Sequence, residues 1–160
     1  MRTTLALILT ACLALPATAQ EWTFGLGSVG VLDDGDETEI ALEALWQQKT
    51  EGNVLGFSYG LGAAAEVDGT GGVWVGGGGR ILRDFGAVRM ELSLMPGLYE
   101  EGDDVYDLGG VVNFRSRIGL SVGLSETSRI GLSVSHLSNA GIYDRNPGRN
   151  AAYLTYGWSY

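Results

Sequence analysis

Cysteine is almost missing from this sequence: Cys12 is the only one in 160 residues. It falls in an N-terminal stretch that has the marks of an export signal. Met1 to Thr4 carries one positive charge, Leu5 to Leu15 is an apolar run of 11 residues, and Ala17-Thr18-Ala19 is an A-x-A cleavage site. Cleavage after Ala19 divides the chain into a signal peptide, residues 1–19, and one domain, residues 20–160. The mature domain then has no cysteine, which excludes disulfides and thiolate-bound metals. A rival reading takes Leu9 to Cys12 as a lipoprotein signal with Cys12 lipidated, although the apolar run ahead of it is short for that purpose.

Basic residues are scarce as well. Ten Lys and Arg stand against 19 Asp and Glu, and nucleic-acid binding needs clustered cations. Proline occurs only 3 times beside 26 glycines, so the chain is not a low-complexity Pro/Gly polymer. Past the signal no apolar run is long enough to cross a bilayer as a helix. No motif calls for a metal or a cofactor.

What the sequence has is alternation. Apolar residues recur at every second position in Trp22-Phe24-Leu26, Ile40-Leu42-Ala44-Trp46, Leu55-Phe57-Tyr59-Leu61 and Val88-Met90-Leu92-Leu94. The pattern continues in Tyr106-Leu108-Gly110-Val112-Phe114, Ile118-Leu120-Val122, Ile130-Leu132-Val134 and Leu154-Tyr156-Trp158-Tyr160. Period two is the strand signature. Segments of about 10 residues behind an export signal, ending on an aromatic strand, suit an outer-membrane barrel. The expected fold is therefore all-β: an eight-stranded antiparallel transmembrane β-barrel of the bacterial outer membrane. Its strands are expected at 21–32, 38–48, 53–65, 72–83, 87–98, 105–121, 129–138 and 150–160, with Gly76 to Gly79 marking a bulge or a bend.

An even strand count puts both termini on the periplasmic side. The connections near 33–37, 66–71, 99–104 and 139–149 then face out of the cell. The first three carry Asp33, Asp34, Asp36, Glu37, Glu66, Asp68, Glu100, Glu101, Asp103 and Asp104. These acids either bridge lipopolysaccharide through divalent cations or are solvated loop charge. A barrel of eight strands is filled by its own side chains, which argues against a porin. Glu39, Glu43, Arg89, Glu91, Arg115 and Arg117 fall on the interior parity and are expected to pair with one another.

The only histidine lies in "SHLSNAGIYDRNPGRN", Ser135 to Asn150. Counting on from Ile130, Leu132 and Val134, the lipid face continues through His136 to Ser138. Counting back from Trp158, Tyr156 and Leu154, it reaches Ala152 and Asn150. Three polar side chains are thus expected together on the outer wall near the outward rim. A polar fringe where the strand leaves the membrane would look the same, and an i, i+2 His and Ser pair is a weak sign of nucleophilic catalysis.

"HLSNAG" followed by "NPGRN" resembles the signature of the PagL-type lipid A 3-O-deacylases, which are eight-stranded outer-membrane barrels. The resemblance implies a Ser/His esterase that removes the 3-O-linked hydroxyacyl chain from lipid A. It implies Ser138 as nucleophile, His136 as general base, and Asn139 with nearby backbone amides such as that of Gly141 as oxyanion donors. Gly141, Asn146, Pro147 and Gly148 would shape the loop. The implied partners are lipid A or lipopolysaccharide as substrate and outer-membrane lipid around the wall, with a homodimer left open. One position departs from the pattern: where the family has a glutamate orienting the histidine, this chain has Asn150. An acid-to-amide change of that kind costs a serine protease ~10⁴ in turnover. The alternative is a non-enzymatic small barrel, serving adhesion or envelope integrity, that keeps the motif as structure.

Overall fold

The structure is a computed structural model that describes residues 19–31, 38–48, 51–103 and 106–160. Its strands are β1 (Ala19–Val29), β2 (Glu39–Gln48), β3 (Gly52–Val54), β4 (Phe57–Asp68), β5 (Val73–Phe85), β6 (Val88–Glu100), β7 (Val112–Gly123), β8 (Ser128–Ser138) and β9 (Arg149–Ser159). Each pairs antiparallel with its neighbours in the order β2-β1-β9-β8-β7-β6-β5-β4, and β2 pairs with β4 to close the ring. Eight strands therefore form the barrel. The short β3 runs on below β2 along the same edge of β4.

Alternation places the side chains as the pattern predicts. In β8, Ile130, Leu132, Val134 and His136 are exposed on the outer wall, while Ser133, Ser135 and Leu137 are buried inside. An outer wall of this kind is stable only against lipid, because Leu26, Leu42, Leu61, Leu94, Leu120, Leu132 and Leu154 are each more than half exposed.

Two expected strands are corrected. The segment 53–65 is not one strand: residues 52–54 and 57–59 are the arms of a hairpin that turns at Leu55 and Gly56. The segment 105–121 becomes a strand only from Val112. Tyr106 and Leu108 alternate like strand residues because they are buried, but what buries them is a loop folded over the barrel mouth. The run Gly76 to Gly79 contains no bulge, since β5 keeps one register against β4 and against β6 on both sides of it. The inward Gly76 and the facing Gly97 make room for the indole of Trp74, which lies where their Cβ atoms would stand.

The interior is a ladder of charge. From the end bearing the termini, Gln47 donates to Glu91 at 2.7 Å. Glu91 then pairs with Arg80 at 3.4 Å and with Arg117 at 3.1 Å. Arg117 and Arg115 share Glu43, Arg115 reaches Glu66 at 3.2 Å, and Arg149 joins Glu66 to Asp68. Four arginines thus balance four carboxylates, the condition under which buried ions are tolerated. Glu43, Arg115, Glu91 and Arg117 pair as expected. Arg89 instead bonds Asp84 and Glu21, and Glu39 has no ion pair among the described residues. Glu66 and Asp68, expected in an outward loop, lie in β4 and point inward. Arg149 holds both, so neither is available to bridge lipopolysaccharide. Of the other loop acids, Asp33, Asp34, Asp36, Glu37 and Asp104 lie outside the described residues, as does the export signal up to Thr18.

Candidate active site

β8 and β9 are paired neighbours, and their register sets His136 directly opposite Asn150. Both side chains leave the wall on the lipid side, and Nδ1 of His136 lies 2.9 Å from Oδ1 of Asn150. A carboxamide oxygen only accepts, so Nδ1 is the donor. The tautomer this selects keeps its lone pair on Nε2, the state a general base requires. The backbone of Asn150 is held as well, its carbonyl accepting Gly30 N–H at 2.9 Å and Val31 N–H at 3.3 Å.

The far side of the imidazole is closed by Gly148. Its φ is +72°, and a Cβ there would lie 2.7 Å from His136 Cε1 and 3.2 Å from Nε2. Only glycine meets both demands, the left-handed backbone and the close approach. The loop glycine expected merely to shape the chain is therefore also a wall of the histidine site.

Ser138 follows His136 by two residues on the same face, at the last position of β8 and half-buried. Among the described residues no hydrogen bond joins it to His136. The chain turns sharply beyond it, with Ala140 at φ +55° and Gly141 at φ +77°.

Asn139 and Gly141 are committed elsewhere. Asn139 is fully buried, and its Nδ2 donates to Leu108 O at 2.8 Å and to Arg145 O at 2.6 Å. Its Oδ1 accepts Gly141 N–H at 2.9 Å, and its own N–H donates to Asn146 Oδ1 at 3.0 Å. These bonds leave neither the Asn139 side chain nor the Gly141 amide facing outward as an oxyanion donor. They staple loop 139–148 to loop 106–111, a junction completed by the Asp107–Arg145 ion pair and by Val112 N–H donating to Tyr143 Oη at 3.1 Å. Asn146 is tied through its Oδ1 to the backbone N–H of Asn139, the residue that follows Ser138. Its sequence signal was its place in "NPGRN"; its tie to Asn139 could not be read there.

Below His136 the outer wall forms a shallow groove. Ser116, Ile118, Val134, Ala152 and Leu92 line it, and it continues along Leu120, Leu132 and Leu154. Ser116 and Ala152 are small residues in a wall otherwise built of Leu, Val and Ile, and they leave space beside the imidazole. Among the described residues there is no cluster of metal-ligating side chains.

Comparison with known proteins agrees with this arrangement. The pattern of the family described as lipid A 3-O-deacylase (PagL) matches residues 22–159. The lipid A deacylase PagL of Bordetella bronchiseptica is 43% identical over 53 residues, which is 33% of this chain and 30% of that protein. Among solved structures, the outer membrane enzyme PagL superposes with a TM-score of 0.62 at 19% identity, covering 86% of this chain and 98% of that one. Neisserial surface protein A gives 0.54 at 10% identity, covering 89% and 96%. The Yersinia pestis outer membrane protein Ail gives 0.52 at 12% identity, covering 88% and 99%. These structural likenesses establish the fold, an outer-membrane barrel, and the sequence pattern establishes the lineage: the chain belongs to the lipid A 3-O-deacylase (PagL) family.

Proposed function

We propose that the protein is an outer-membrane esterase that removes the 3-O-linked hydroxyacyl chain from lipid A. Ser138 is the nucleophile, His136 the general base, and Asn150 the residue that orients the imidazole. The carrying observation is the 2.9 Å contact between His136 Nδ1 and Asn150 Oδ1 on the lipid face of the wall. A polar pair costs energy against hydrocarbon and is retained there for a use.

The chemistry follows from the tautomer. Nε2 takes the proton of Ser138 Oγ as the oxygen attacks the ester carbonyl, and the imidazolium returns that proton to the departing sugar oxygen. Water then hydrolyses the acyl-enzyme by the same route and frees the fatty acid. The missing Ser138–His136 bond does not oppose this, since such contacts tighten with substrate present. Asn146 Nδ2 and the Ala140 N–H are the donors left to meet the oxyanion, while Asn139 and Gly141 position the loop that carries them. The groove along Ala152, Val134 and Ile118 suits the acyl chain, which need not leave the bilayer.

A second reading rests on Asn150: without a carboxylate to steady the imidazolium, the protein is a barrel that keeps the motif as structure. Incubating membranes containing the protein with lipid A, and following acyl loss by mass spectrometry, separates the two. The esterase reading expects loss of one hydroxyacyl chain, reduced by about 10⁴-fold or more in Ser138→Ala. No loss from the unaltered protein, or equal loss from the variant, favours the second reading.

A further inference from the structure

The rim that carries the chain termini contains an unusual turn. β3 and β4 set Asn53 opposite Ser58 and Val54 opposite Phe57. Leu55 and Gly56 join them with φ values of 53° and 81°. Two left-handed residues in succession suit a type I′ turn, whose first position favours Asn, Asp or Gly. Leucine there crowds its own Cβ, and its side chain is 88% exposed, with Val54 at 59%. The next turn along the rim lies between Phe85 and Val88, both exposed and apolar. By contrast, the β7–β8 turn carries one exposed apolar residue, Leu124, and then Ser125, Glu126 and Thr127.

Arg83 stands between the two apolar turns. Its side chain leaves β5 on the outer face, with Cζ 4.9 Å from the Phe57 ring centroid and 5.1 Å from that of Phe85. A Cβ on Gly56 would lie 3.6 Å from the same carbon. Among the described residues Arg83 has no carboxylate partner, because the adjacent Asp84 accepts from Arg89 Nε at 2.9 Å. A guanidinium held on aromatic faces keeps its N–H donors free for an anion. This end also bears most of the aromatic residues of the outer wall, among them Trp22, Trp46, Tyr59, Tyr156 and Trp158, residues that mark a membrane–water boundary, while Phe114 faces Ser138 at the other rim.

We propose that this cluster is a phospholipid site: Val54 and Leu55 enter the apolar edge of the inner leaflet, and Arg83 holds the phosphate of one headgroup. The surface is continuous with the lipid-facing wall, so the bilayer supplies the apolar part and the anion at one depth. A water-exposed turn would gain nothing from leucine in a left-handed conformation, whereas a lipid-immersed one does.

Two measurements test the site. In nanodiscs of phosphatidylethanolamine and phosphatidylglycerol, followed by transfer to detergent and native mass spectrometry, the protein should retain a phospholipid. Arg83→Gln should lower the retained fraction about fivefold, and Arg145→Gln at the opposite rim should not. Inorganic phosphate should fail to displace the lipid. Equal retention by Arg83→Gln, confirmed folded by its heat-dependent gel mobility, overturns the proposal, as does displacement by phosphate. The second measurement uses a fluorophore on Leu55→Cys in a chain whose one native thiol, Cys12, lies ahead of β1. Lipid brominated near the glycerol should quench it and aqueous iodide should not, with the reverse for Ser125→Cys. Iodide quenching equal at both positions also overturns it.

Discussion

The two rims of this barrel are built on opposite principles. At the rim of His136 and Asn150, polar side chains stand on the lipid face and are held by register, by Gly148 and by stapled loops. The interior ladder ends just behind them, at Arg149 between Glu66 and Asp68. At the rim of the termini the connections are short, apolar residues occupy turn positions, and aromatic rings face outward. The proposed esterase site needs atoms fixed to a fraction of an ångström, and at that rim the interior ladder, the strand register and the stapled loops hold the side chains in place. Meeting a bilayer needs only amphipathic side chains at one depth.

Apart from the loss of acyl release in Ser138→Ala, the largest expected effect comes from cutting the support behind the site. Arg149→Met leaves Asp68 as a buried carboxylate without its cation and Glu66 with Arg115 alone, and should cost ~3–5 kcal/mol in urea unfolding from lipid vesicles. A loss well under ~1 kcal/mol would mean that the ladder does not brace this rim.

Next is Asn146→Asp, which keeps the acceptor for the Asn139 N–H and removes the side-chain donor. Lipid A deacylation should fall by about 10²-fold with folding intact, as for removal of one oxyanion donor. Unchanged turnover would leave the Ala140 amide as the donor that matters.

Asn150→Glu tests the departure from the family pattern. A carboxylate reaching Nδ1 in place of the Asn150 oxygen would select the same tautomer and add charge against the imidazolium. Turnover should rise about tenfold or more, part of the difference such a change makes in a serine protease triad. A fall would show that this site is tuned to the amide.

The smallest effect separates the rims most directly. Leu55→Asn suits a left-handed turn and should stabilise the barrel by about 1 kcal/mol in detergent. In phospholipid vesicles the gain should vanish or reverse, because the lost leucine no longer enters the leaflet. Equal stabilisation in both media would make that turn an ordinary water-facing one.

Much of this architecture was legible because a barrel wall repeats a two-residue code. Parity alone separated Val134, His136 and Ser138 from Ser133, Ser135 and Leu137, and it brought Asn150 to the face of His136. It misled where burial had another cause. Tyr106 and Leu108 alternate because a loop packs them over the mouth, and Leu55 continues an alternation that the chain breaks by turning. Glu66 and Asp68 read as loop acids because acidic residues near a turn usually are; only Arg149, 81 residues beyond Asp68, reveals them as interior.

By itself the sequence determined which side chains face lipid and which face the interior, and that His136, Ser138 and Asn150 share one wall. Such facts depend on strand periodicity and on neighbours in the chain. Tertiary structure decided what those residues touch: that Asn150 offers its oxygen to the imidazole, that Gly148 closes the ring's far side, and that Asn139 is spent on holding loops. Each of these depends on register and on closure between segments distant in sequence, where a shift of one residue would turn every side chain to the opposite face.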